Sequence, residues 1–162
     1  MKLALVILGA SAVLVVGVLL AAASIYNFRS DKKPEAKEFL AGKVPQPALD
    51  GSYKGGRATG LGDNWLGKHF NSLENTGINN FASKSNAGET EQRYPFATSQ
   101  AASLRNKGQI VLQLDYNIGS NPLWLKLIRD ELVEVSPGNY LGKIQLKVGF
   151  VIVTLGYFRL SN

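Results

Sequence analysis

The chain has 162 residues, 45% of them hydrophobic and 19% charged, with a formal net charge of +6 and a pI near 9.6. It contains no cysteine, which excludes disulfides, thiolate catalysis and Cys-ligated zinc or iron–sulfur sites, and its single histidine, His69, excludes a multi-histidine metal centre. The basic residues are dispersed without an aromatic-and-basic RNA-binding signature, so anionic lipid is a simpler partner for the charge than nucleic acid.

Leu3 to Ile25 is an uncharged run of 23 residues, against the roughly 20 that a helix needs to cross a bilayer. It reads as one N-terminal transmembrane helix. A cleaved signal is the alternative, since Ala21-Ala22-Ala23 supplies a small-residue cutting site. The length of the run favours an uncut anchor. The cluster Arg29, Lys32, Lys33 and Lys37 follows directly and is expected at the membrane surface. Its charge favours a single-pass topology with the domain on the cytoplasmic side; signal cleavage would place the domain outside instead, secreted or periplasmic. The expected organisation is an anchor or signal segment at 1–28, a basic proline-containing linker at 29–47 and a β-domain at 48–162. A short helix near Pro34–Leu40 is possible, with Pro34 in its first turn.

Beyond Ala48 the chain is rich in glycine and short strand-like runs. Gly51–Gly56, Trp65–Ser72 and Gly77–Ala82 read as strands, and Ser83–Glu91 as a polar loop. Ser99–Lys107 reads as one or two helical turns, capped by Ser99 and ended by Gly108. In Ile110–Ile118 apolar residues fill the even positions, the period of a strand with one wet face. Asn121-Pro122 resembles a helix cap with proline in the first turn, so a short helix or lid-like turn is expected over Asn121–Lys126, then a strand from Ile128. Ser136-Pro137-Gly138-Asn139 is hairpin punctuation before the alternating strand Asn139–Val148. Phe150–Leu160 is apolar on both faces and is expected to be a covered or lipid-facing strand, with Gly149 breaking the path before it. Seven or eight short strands in one meander point to an antiparallel barrel or sandwich.

Leu49-Asp50-Gly51-Ser52-Tyr53-Lys54-Gly55 resembles the opening strand of lipocalin-like (calycin) barrels, and more closely that of small bacterial GxWxG-type proteins, with Tyr53 in the tryptophan position. Trp65-Leu66-Gly67-Lys68-His69-Phe70 is similar to the following Trp-x-Gly-Lys-x-Phe stretch. Tyr140-Leu141-Gly142-Lys143 and Gly156-Tyr157-Phe158-Arg159-Leu160 look like the closing strands. The resemblance implies a mainly β protein, an antiparallel meander forming a lipocalin-like barrel, which binds an apolar ligand without a cofactor.

The chemistry-bearing residues are sparse. His69 has no nucleophile-elbow motif to serve. Asp130 and Glu131 are adjacent on a strand and point to opposite faces, so pairing with Arg129, Lys143 or Lys147 is expected rather than joint acid–base work. The glycine-rich Gly55–Gly62 lacks a phosphate-loop ending. No catalytic constellation emerges. Tyr53, Trp65, Phe70, Tyr116, Trp124, Tyr140 and Phe158 are the candidate ligand-binding residues, with an ordinary aromatic core as the competing reading. Trp124 lies in the apolar Pro122–Leu127 patch, suited to a gating or membrane-touching loop. The expected function is a membrane-anchored barrel binding a hydrophobic small molecule, a lipid in chemistry, rather than an enzyme. The alternatives are a filled barrel docking on a membrane protein partner, or an enzyme acting on a lipid or polyketide-like substrate.

Overall fold

The structure is a computed structural model and describes residues 17–18, 20–58, 64–86 and 88–162. Eight antiparallel strands follow one another around a closed barrel: β1 (Gly51–Ala58), β2 (Trp65–Asn71), β3 (Thr76–Ala82), β4 (Thr90–Ala102), β5 (Ile110–Asp115), β6 (Ile128–Ser136), β7 (Asn139–Val148) and β8 (Val151–Ser161). Closure joins β8 to β1, with Lys54 opposite Ser161, so the meander leaves few unpaired edges. This is the antiparallel barrel architecture that the strand pattern implied.

Alternation along the strands sorts side chains to two faces. Leu112, Leu114, Leu132, Phe70, Phe96 and Phe158 fill the interior. Val111, Val133, Leu141 and Tyr157 point outward, yet they are also buried. They are covered by α2 (Pro34–Ala41), which places Phe39 and Ala36 on them. The segment expected as a linker is thus folded against the barrel. Lys43 and Glu134 exchange backbone hydrogen bonds of 3.0 and 2.7 Å just after the helix. The preceding helix α1 (residues 20–31) lies along β8. The Asn27 side-chain amide donates to the Ile152 carbonyl at 2.8 Å and accepts from the Thr154 N–H at 2.9 Å. β1 stops at Ala58, so this amide serves a stretch of β8 edge that β1 does not reach. Arg29, Lys32, Lys33 and Lys37 are all exposed.

No described helix is long and apolar enough to cross a membrane. Most of the expected span, residues 3–16 and 19, lies outside the described residues.

Two local expectations are corrected. Ser99–Lys107 is not helical: β4 runs through Ala102, each residue from Ala97 to Ala102 facing a partner on β5, and Gly108 at φ +84° serves the β4–β5 turn. Cross-strand pairing outweighs the weak local preference for helix. Asn121 does not cap a helix with its side chain. It is buried and donates to the Pro95 and Tyr116 carbonyls at 2.8 and 2.9 Å, tying down the β5–β6 loop before a single 3-10 turn at Leu125–Leu127. The Pro137-Gly138 turn, by contrast, joins β6 to β7 as expected, with Gly138 at φ +72°.

Candidate functional site

Lys68 is the starting point, because its side chain is 1% exposed inside the barrel. An ammonium there needs three acceptors, and it has three: Asn79 Oδ1 at 2.8 Å, Tyr116 OH at 2.5 Å and Asp130 Oδ2 at 3.4 Å. Tyr116 in turn donates to Asp130 Oδ2 at 3.1 Å and accepts from Asn79 Nδ2 at 3.1 Å. Trp65 Nε1 donates to the same Asn79 oxygen at 3.1 Å. Around the ammonium stand four aromatic rings, Phe158, Phe96, Tyr116 and Trp65, with centroids 4.8, 5.0, 5.3 and 5.8 Å away. Ring faces and a carboxylate both favour the cation.

Burial opposes charge throughout this cluster. It pushes the Lys68 ammonium below its ordinary value although Asp130 pulls it up. It pushes the Asp130 carboxyl up although Lys68 and Tyr116 pull it down. The Tyr116 phenol is driven well above its ordinary value, by burial first and the Asp130 charge second.

One atom of the cluster is left over. Asp130 Oδ1 is buried and has no hydrogen-bond partner among the described residues. Asp130 lines a cavity of about 480 Å³, together with Asn79 and Tyr116 from the cluster and Phe81, Tyr94, Leu125, Ile128 and Ile144 on the walls. Trp124, Lys84 and Leu155 stand at its exposed mouth, where Trp124 is 61% exposed and meets Tyr94 edge to face at 6.2 Å. Lys68 Nζ lies behind this lining. It therefore positions and polarises Asp130 and Tyr116 rather than meeting an occupant itself.

β-Bulges set the walls. The β2–β3 register shifts between Trp65 and Gly67, where Gly67 adopts φ +131°, and this puts Trp65 and Lys68 on the same face despite their odd spacing. The β3–β4 register shifts opposite Tyr94-Pro95; Tyr94 takes φ +63° and turns its ring into the cavity while its carbonyl accepts from Asn79 Nδ2 at 3.0 Å. A third shift, where β7 faces β8 across Ile144 and Gln145, brings Leu155 to the rim.

The seven candidate aromatics divide by depth. Tyr116 and Trp124 line the cavity. Trp65 and Phe158 belong to the ring around Lys68. Tyr53, Phe70 and Tyr140 pack edge to face in the core, at 5.5 and 5.4 Å, away from the cavity lining. Sequence reasoning did not single out Lys68, Asn79, Phe81, Tyr94 or Ile128 as site residues. The available signal was a lysine two residues before Phe70 on an apolar face.

Asp130 and Glu131 do face opposite sides. Glu131 pairs with Lys143 at 3.0 Å on the outer face under α2 and accepts from Ser103 Oγ at 2.8 Å and from the Leu104 N–H. Asp115 pairs across the strands with Arg129 at 3.0 Å. His69 is half-buried on the outer face, its Nδ1 2.9 Å from Ser52 Oγ, away from the cavity. Among the described residues no cluster of three His, Cys, Asp or Glu side chains is placed to hold a metal ion.

No protein-family model and no curated protein matches the chain. A solved crystal structure of a protein from Thermomonospora curvata is similar in fold, with a TM-score of 0.56, 21% identity, and an alignment covering 79% of this chain and 84% of that one. At that identity the likeness concerns the fold alone.

Proposed function

We propose that the barrel binds one small, mainly apolar molecule whose inner end carries a hydrogen-bond donor, in the manner of lipocalin-like carriers, and that residues 3–25 anchor it to a membrane. The observation that carries this reading is a cavity of about 480 Å³, lined mainly by aromatic and aliphatic side chains with Asn64, Lys84 and Arg93 among them, that has in its lining Asp130, whose Oδ1 is unpartnered among the described residues. Such a volume lies within the roughly 300–1,000 Å³ of ordinary small-molecule pockets. Apolar walls supply affinity by burial, and a hydroxyl or amine on the ligand would satisfy the unpartnered Asp130 oxygen. A ligand carboxylate at the inner end would face Asp130 and be repelled. A membrane lipid bearing a hydroxyl fits these demands, and the apolar run at 3–25 supports a source in the bilayer.

Native mass spectrometry of the full chain, extracted in mild detergent, tests the carrier reading. A bound mass that leaves on solvent extraction is expected. Ile128→Trp fills the cavity and should abolish that mass while the far-ultraviolet circular dichroism of the barrel and a cooperative thermal transition are kept. A bare wild-type chain that takes up nothing from a total lipid extract would sink the reading and favour docking on a protein.

An enzymatic reading has one observation in its favour: a carboxyl raised by burial, with one unpartnered oxygen, in the lining of a cavity is suited to proton transfer. Under that reading the ligand recovered from Asp130→Asn would differ in mass from the wild-type ligand, because the variant would retain unconverted substrate.

A further inference from the structure

The cavity and α1 share one end of the barrel. The β3–β4, β5–β6 and β7–β8 connections gather at the mouth with Asn64, just before β2, and the β4–β5 turn lies at the opposite end. Asn27 grips Ile152 and Thr154, near the start of β8. Asp31, one helical turn later, meets Arg105, which reaches up from the β4–β5 turn, at 2.8 Å. The same guanidinium bonds Thr154 Oγ1 at 2.7 Å. Helix α1 therefore runs from the mouth towards the opposite end. Seven residues of helix rise about 10 Å, enough for residue 20 to reach the level of the β7–β8 turn.

That end is also apolar where it is exposed. Leu123 and Phe150 are each 82% exposed, and Trp124 and Leu127 from the β5–β6 connection and Val148 from the end of β7 add to them. Lys84 and Lys126 on the described connections and Lys147 near the end of β7 stand at this end, against Glu89; Glu91 and Asp115 at the strand ends are paired with Arg93 and Arg129. Apolar tips ringed by lysines fit the headgroup boundary of an anionic bilayer.

We propose that the mouth of the barrel is seated on the lipid surface, so that the cavity opens to the bilayer and the ligand enters without crossing bulk water. The proposal rests on the anchor reading of residues 3–25, and adds an orientation that anchoring alone does not give. The Asn27 amide and the Arg105–Asp31 pair hold the barrel to the helix at that tilt.

The absence of native cysteine makes the test direct. Full-length Leu123→Cys and Phe150→Cys carry a fluorophore at the mouth; Leu73→Cys carries it on the β2–β3 turn at the other end, where Leu73 is 93% exposed. Each is reconstituted into vesicles of phosphatidylcholine and phosphatidylglycerol containing lipid with a nitroxide on its acyl chain. Quenching at 123 and 150 with none at 73 is the expected result. Co-flotation with the vesicles without quenching at 123 and 150 would overturn the orientation and leave the anchor standing. Failure to co-float would overturn the anchor, and the orientation with it.

Discussion

Lys68 and Asp130 show how one buried pair constrains both stability and ligand choice. With side chains 1% and 5% exposed, neither can be hydrated if the other is lost. Lys68→Met is expected to cost about 3–5 kcal/mol by denaturant titration, because it strands the carboxylate. Adding Asp130→Leu should recover most of that loss, because an apolar pair of similar volume removes both desolvation costs. The pH dependence has an unusual sign. Burial holds the Asp130 carboxyl above its ordinary 3.8, so the folded chain takes up this proton at higher pH than the unfolded chain. On acidification this group adds stability from its raised value down to 3.8, and Asp130→Asn should remove that gain. The same variant keeps the shape of the site but replaces an acceptor-only carboxylate, so ligand affinity should fall by about tenfold or more by calorimetric titration, the worth of one hydrogen bond.

At the scale of elements, α2 is held by a single aromatic side chain more than by its own helicity. Eight residues are too few for an independent helix. Phe39, 1% exposed, packs on Tyr157 at 6.5 Å and under the Lys143 ammonium at 4.3 Å. Phe39→Ala should cost about 3–5 kcal/mol and expose the outer Val133–Leu141 face to a hydrophobic dye. The ion pair from Glu38 to Arg159 adds a smaller, pH-dependent tie. Arg159 holds the Glu38 carboxyl below its ordinary 4.5, so this contribution is full above 4.5 and disappears as pH falls through the lowered value. Sequence reading located this helix through Pro34 and located most strands through alternation, but not its docking. Nothing local in Pro34–Ala41 states that β5, β6, β7 and β8 carry a second apolar face for it.

For the whole molecule, closure depends on glycine positions as much as on apolar ones. A methyl group at Gly142 would stand 2.0 Å from the Phe158 ring, which fills the space directly across the β7–β8 ladder. Gly142→Ala is expected to cost about 1–3 kcal/mol through overpacking and to broaden the thermal transition. The same glycine-aromatic pairing underlies the resemblance seen in the strands: those residues shape a barrel interior, and they say little about what occupies it.

The meander of strands, the opposite faces of Asp130 and Glu131, the Pro137-Gly138 hairpin and an apolar run long enough for a bilayer are all legible in the amino-acid order alone. These are local periodicities, and each is readable within a short window. The site is assembled by folding across strands. Lys68, Tyr94 and Leu155 reach their places through bulges, which insert a residue and reverse the inside–outside alternation that sequence reasoning depends on. Asp130 on β6 meets Lys68 on β2, 62 residues earlier in the chain, across the barrel interior, a meeting imposed by the tertiary fold and by no pattern within any one strand.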